Sequence, residues 1–133
     1  MTHYVVVRSD LPLGFLAAQV VHGAGESSPG NLDSGTNAVV LAVPDEAALL
    51  ALERKLQLAG VAHVAIREPD SPWLGALTCI GLVPVVDRGP LRHLLCGLPL
   101  LGKRPSCKEC SASPRGLCYE HNGGRPSSEE AAG

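Results

Sequence analysis

Val5-Val6-Val7-Arg8-Ser9-Asp10-Leu11 leads through the turn Pro12-Leu13-Gly14-Phe15 into Leu16-Ala17-Ala18-Gln19-Val20-Val21-His22-Gly23-Ala24. The first part is β-branched and lacks polar alternation, the pattern of a strand covered on both faces. It ends in Arg8 and Asp10, and a Pro/Gly turn opens a helix of small residues. Small side chains let a helix lie close to a sheet. Residues three apart share a helix face, so Gln19 and His22 are expected to be presented together. Such a pair serves a site at the C-terminal end of the strand, where open α/β sheets bind ligands.

On either side of this unit the pattern continues as strand, helix, strand, helix, strand, strand, helix. The first strand is read over 4–8, the helix over 14–26 and a second buried strand over 38–43. Pro44-Asp45-Glu46 opens the next helix. Asp45 suits the N-cap, Glu46 the positive helix end, and Leu49, Leu52, Leu56 and Ala59 form the apolar stripe. Gly60 closes it. Strands over 61–66 and 76–83 follow, then a helix over 87–96 and an extended piece over 98–101. Two strand-helix-strand crossovers imply parallel pairs with right-handed connections. The loop over 68–74 is too short for a crossover helix, so the fourth strand is expected antiparallel. The expected fold class is α/β, a three-layer α/β/α arrangement with a small mixed sheet of about four strands.

With 133 residues, 45% of them hydrophobic, the chain can build one domain with a real core; aromatics are only 3%, so that core is aliphatic. The net charge of −2 gives no global attraction to nucleic acid. The charge is unevenly spread: residues 1–101 carry six Lys/Arg against nine Asp/Glu, and residues 102–133 five against four. No basic-then-apolar leader opens the sequence, and the longest apolar stretch, 75–86, is too short for a membrane helix and contains Pro84. A soluble, cytoplasmic protein without membrane contact is expected. Five cysteines, an odd number, suit a reducing compartment better than a disulfide framework. Of these, Cys79 and Cys96 sit in apolar stretches and read as unreactive core thiols.

The order of elements and the residues within them resemble the archaeal/eukaryotic-type peptidyl-tRNA hydrolase family. The likeness rests on Val7-Arg8-Ser9-Asp10-Leu11, Leu16-Ala17-Ala18-Gln19 with His22, and Pro44-Asp45-Glu46-Ala47-Ala48-Leu49-Leu50. It continues in Val64-Ala65-Ile66-Arg67-Glu68 and Ala76-Leu77-Thr78-Cys79-Ile80-Gly81-Leu82-Val83-Pro84. It covers 4–101, and the Ala-Ala-Gln-x-x-His segment is its most specific piece. The resemblance implies a small α/β/α hydrolase domain that cleaves the ester between a peptide and the terminal ribose of tRNA, with no catalytic cofactor. Such an ester needs an activated water, a group that stabilises the oxyanion, and contacts to the RNA.

In that family these tasks fall to a lysine just before the Ala-Ala-Gln helix, an aspartate in the loop before the last strand, and nearby threonines. Here the turn reads Pro12-Leu13-Gly14-Phe15, with no lysine. Glu68 stands at the aspartate's place, with Asp70 a second candidate, and Thr78 matches a family threonine. Gln19, His22, Glu68, Asp70 and Thr78 are therefore the candidate catalytic residues. Arg8 and Arg67, at strand ends on one edge, are candidates with Asp10 for substrate contacts. Each has a plainer reading: Gln19 and His22 satisfying buried backbone groups, Glu68 and Asp70 as solvated loop carboxylates, Thr78 as a packing residue.

The segment 102–133 is nearly free of aliphatic residues and lies outside the resemblance. Its Cys107-Lys108-Glu109-Cys110 and Cys118-Tyr119-Glu120-His121 form C-x2-C and C-x2-H separated by seven residues. Two such pairs can wrap one tetrahedral Zn²⁺, so Cys107, Cys110, Cys118 and His121 are candidate ligands of a structural zinc knuckle over 106–122. With no apolar core there, the metal supplies the folding free energy. The Gly/Pro/Ser/Glu-rich remainder is expected to be disordered. Incidental thiols or a redox pair are the other readings. The expected activity is peptidyl-tRNA hydrolysis, weakened by loss of the lysine; the alternative is a non-catalytic relative that binds RNA or protein through the zinc-like tail.

Overall fold

In the computed structural model, which describes residues 1–103, the chain runs β1 (Thr2–Arg8), α1 (Leu13–Ser27), β2 (Asn37–Val43), α2 (Glu46–Ala59), β3 (His63–Glu68), β4 (Ala76–Leu82), a 3-10 turn at Gly89–Leu91 and α3 (Arg92–Leu95). The strands form one sheet in the order β2-β1-β4-β3. β1 pairs parallel with β2, from Thr2 opposite Asn37 to Arg8 opposite Val43. β4 is antiparallel to both β1 and β3, as the short loop before it requires. The crossover through α2 does not produce the adjacent parallel pair expected of it. It carries the chain from one sheet edge to the other, and β4 then fills the gap between β1 and β3.

One face of the sheet is covered by α1, with Val5, Val7, Leu11, Leu16, Ile66 and Cys79 as its buried core. The other is covered by α2 and α3, where Leu49, Leu52 and Leu56 pack on Val6, Leu77, Ile80 and Leu82. Three layers result, with the hydrophobic material split between two cores. α2 has the ends its sequence calls for. The Asp45 side chain accepts a hydrogen bond from the Ala48 N–H at 2.9 Å, and Gly60 is left-handed, with φ 70°. α1 lies closest to the sheet where Gly23 crosses Gly81. A Cβ on Gly81 would collide with the Gly23 carbonyl oxygen and the Ser27 hydroxyl.

β3 begins later and ends later than its sequence suggests, which puts Arg67 and Glu68 in the strand rather than after it. The C-terminal helix is also shorter than expected, a 3-10 turn followed by one helical turn, because Gly89 and Pro90 open it. The extended piece after it lies along the free edge of β2. Ala42 N–H donates to Pro99 O and Leu101 N–H to Val40 O, both at 2.9 Å, so part of an otherwise open edge is covered. Cys79 is fully buried, and burial pushes its thiol pKa up to about 12, so it is inert. Cys96 departs from its core reading: it follows the end of α3 and is exposed. Among the described residues no helix is long and apolar enough to cross a membrane.

Candidate active site

β1 and β3 run in one direction, so Arg8 and Glu68 come to the same end of the sheet, together with the first turn of α1 and the start of β4. α1 turns Leu16, Gln19, Gly23 and Ser27 inward, a stripe with helical spacing. Gln19 is thereby held against the sheet at 2% exposure, while His22, three residues on, faces solvent. The His22 side chain makes no hydrogen bond among the described residues. The expectation that Gln19 and His22 are presented together therefore fails: the inward stripe is narrow and passes on the far side of Gln19 from His22.

Gln19 reaches side chains, not backbone. The Thr78 hydroxyl donates to Gln19 Oε1 at 2.6 Å and also lies 3.1 Å from the Ile66 carbonyl. Gln19 Nε2 donates to Glu68 Oε1 at 3.4 Å. A carboxylate only accepts, so the amide nitrogen must face Glu68, which leaves the amide oxygen to take the Thr78 proton. This one arrangement gives each of these contacts a donor and an acceptor.

A bulge brings Thr78 to this face. Pairing between β3 and β4 jumps from Ile66 opposite Cys79 to Arg67 opposite Leu77, leaving Thr78 as the extra residue on β4. Strict alternation would put Thr78 on the α2 face with Ile80 and Leu82. With the bulge, Thr78 and Cys79 both face α1 while Leu77 stays in the opposite core.

Glu68 is half-buried, and its other oxygen accepts the Asp70 N–H at 3.3 Å. Asp70 itself is exposed and forms the turn that carries Trp73 and Leu74, whose N–H groups both donate to its carbonyl. Of the two candidate carboxylates, only Glu68 joins the Gln19–Thr78 network. Arg67 is not at the site: strand alternation sends it to the α2 side, where it pairs with Glu53 at 2.9 Å.

Arg8 is close by, and each of its three guanidinium nitrogens is engaged. Nε and Nη2 donate to the two oxygens of Asp10 at 2.7 and 2.9 Å, and Nη1 donates to the Leu77 carbonyl at 3.2 Å. The hydrogen-bonded Asp10 carboxylate raises the Arg8 pKa, and Arg8 lowers that of Asp10. The Leu77 N–H donates to Glu46 Oε2 at 2.9 Å, so the first turn of α2 also braces this end of β4.

Sequence reading missed three residues here. Glu46 was legible only as a helix-end charge, although it reaches across to β4. Phe15 and Trp73, the chain's one Phe and one Trp, stack with centroids 5.1 Å apart, and the Arg8 guanidinium carbon lies 5.6 Å from the Trp73 ring centre. In a chain so poor in aromatics, one near the start of the Gln19 helix and one in the loop after Glu68 were the available signal.

Among the described residues no group of three or more His, Cys, Asp or Glu side chains is placed to hold a metal. Cys107, Cys110, Cys118 and His121 lie outside the described residues. What the site offers is a carboxylate, an amide and a hydroxyl in series, a set suited to activating water. The family model described as Peptidyl-tRNA hydrolase PTH2 matches residues 1–90, and the chain belongs to this family, whose members act on peptidyl-tRNA. No curated protein matches the chain.

Proposed function

We propose that the chain hydrolyses the ester of peptidyl-tRNA slowly, with Glu68 as the general base. The observation that supports this reading is the chain of contacts from Thr78 through Gln19 to Glu68. Glu68 takes a proton from water, and the water oxygen attacks the acyl carbonyl carbon. The tetrahedral intermediate then expels the ribose oxygen, which leaves with the proton held by Glu68. Thr78 spends its proton on Gln19 and so acts as a positioning residue. The second amide hydrogen of Gln19 makes no bond among the described residues, and it is the donor assigned to the developing oxyanion.

The rate is low because the first turn of α1 carries Phe15 where the family has lysine, and Arg8 is neutralised by Asp10. A purified sample should cleave a blocked aminoacyl-tRNA above background, and Phe15→Lys should raise the rate. Cleavage at background level at high protein concentration overturns the enzyme reading in favour of a relative that only binds RNA or protein. That second reading draws on the same pairing of Arg8 with Asp10.

For the C-terminal segment the proposal is one structural Zn²⁺ held by Cys107, Cys110, Cys118 and His121. Its support is the pair of x2 spacings in the sequence. The metal takes no part in the hydrolysis.

A further inference from the structure

On the face of the sheet opposite Gln19, a groove of about 450 Å³ opens between the β1–β2 strands and the segment that holds α3. Its floor is apolar, from Leu41, Leu91 and Leu95, and Tyr4 lies at its wall. Arg88 and Arg92 also line it. Both are exposed, and neither pairs with a carboxylate among the described residues. The neighbouring Asp87 accepts the Gly89 N–H at 2.9 Å and pairs with neither guanidinium. A second groove, lined in part by Lys55 and His93, shares Cys96 with the first.

The charge distribution gives this face its meaning. Residues 1–101 hold six Lys/Arg against nine Asp/Glu. Arg8 and Arg67 are taken by Asp10 and Glu53. Of the four cations left, Lys55, Arg88 and Arg92 all line the two grooves, and only Arg54 does not. The acidic domain thus gathers three of its four unpaired cations along two adjoining grooves, one of them an apolar slot with an aromatic wall. Guanidinium groups grip phosphate in a fork, and aromatic rings stack on unpaired bases.

We propose that this groove is an RNA-binding surface. Arg88 and Arg92 hold successive phosphates of the RNA backbone, and Tyr4 stacks on an unpaired base in the slot. The choice of RNA as occupant rests on the family's action on peptidyl-tRNA. Tyr4 lies four residues before Arg8 on β1, about 13 Å along the strand. Arg8 ends β1 at the same end of the sheet as Glu68, so an RNA of tRNA size lying on this face brings its acylated end to Glu68 by passing round that end.

The test uses the full chain with deacylated tRNA over a salt series, so that binding is read apart from cleavage. The double variant Arg88→Gln, Arg92→Gln should bind roughly tenfold or more weakly, and the slope of log affinity against log salt should become shallower by about 1.4 to 1.8. Tyr4→Leu should weaken binding by roughly tenfold with an unchanged slope. Arg54→Gln should change neither, and melting temperatures of the arginine variants should match the parent because these side chains are exposed. No tRNA binding by the parent, or equal affinity and slope in parent and double variant, overturns the proposal. With blocked aminoacyl-tRNA, cleavage with an unaltered KM in the double variant sinks the groove and spares the hydrolase reading. Groove-dependent binding without cleavage does the reverse.

Discussion

Glu68 and Asp70 are two residues apart, yet only Glu68 is half-buried and hydrogen-bonded to Gln19. Glu68→Gln should therefore lower kcat on blocked aminoacyl-tRNA by roughly tenfold or more, and Asp70→Asn should leave it within about twofold. The opposite order of effects would move the base to Asp70. Thr78→Val removes the one proton that Gln19 Oε1 receives among the described residues, in a fully buried place, so it should cost about 1–3 kcal/mol of stability as well as activity. Thr78→Ser should restore most of both. At the opposite end of α1, His3 is buried and its Nε2 lies 2.8 Å from the Ser27 hydroxyl. Ser27 gives its own proton to the Gly23 carbonyl at 2.6 Å, so His3 carries hydrogen on Nε2 and donates. Burial holds its pKa below the ordinary 6.5. Between the folded and unfolded values the unfolded chain binds more protons, so stability is fully present above about 6.5 and falls as pH drops through that window. Chemical denaturation at pH 7.5 and 5.5 should show this loss, and His3→Gln should flatten it.

The elements meet most tightly where α1 crosses β4, and the contact is backbone on backbone. Gly81→Ala would press its Cβ on the Gly23 carbonyl oxygen, which the helix can relieve only by lifting off the sheet. The expected cost is about 1–3 kcal/mol or more, read as a lower denaturant midpoint. Gly25, in the same helix, points to solvent, and a methyl group added there would meet no atom within 4 Å. At that position the Ala variant should raise stability by about 0.5–1 kcal/mol, because it removes only freedom of the unfolded chain. Equal destabilisation at both positions would show that the close approach at Gly81 does not set the cost. Lifting α1 also withdraws Gln19, so the Gly81 variant should lose activity along with stability.

At the scale of the whole chain, the zinc proposal is tested apart from the hydrolytic site. Metal analysis of protein purified without added zinc should give one Zn²⁺ per chain, and a Cys110→Ser, Cys118→Ser variant should give none. Substoichiometric zinc in the parent, or equal zinc in both, removes the knuckle. The layers, the buried first strand, the Asp45 and Gly60 ends of α2 and the antiparallel β4 could all be read from the chain, because each follows from local hydrophobic period, capping chemistry or loop length, whereas the second strand, read as buried, is a half-exposed edge. Gln19, Glu68 and Thr78 could be named as candidates but not assembled. Their meeting depends on a one-residue bulge that turns Thr78 toward α1, and on which side of a helix faces the sheet; His22 was lost on that second point. The insertion of β4 between β1 and β3, the Arg8–Asp10 fork and the Phe15–Trp73 stack likewise join residues far apart in the chain or across a turn. Local sequence sets what each segment becomes, since its period and its ends act within a few residues. Which side chains touch is set by register and by packing between layers, and those are fixed only when the sheet and its two cores form together.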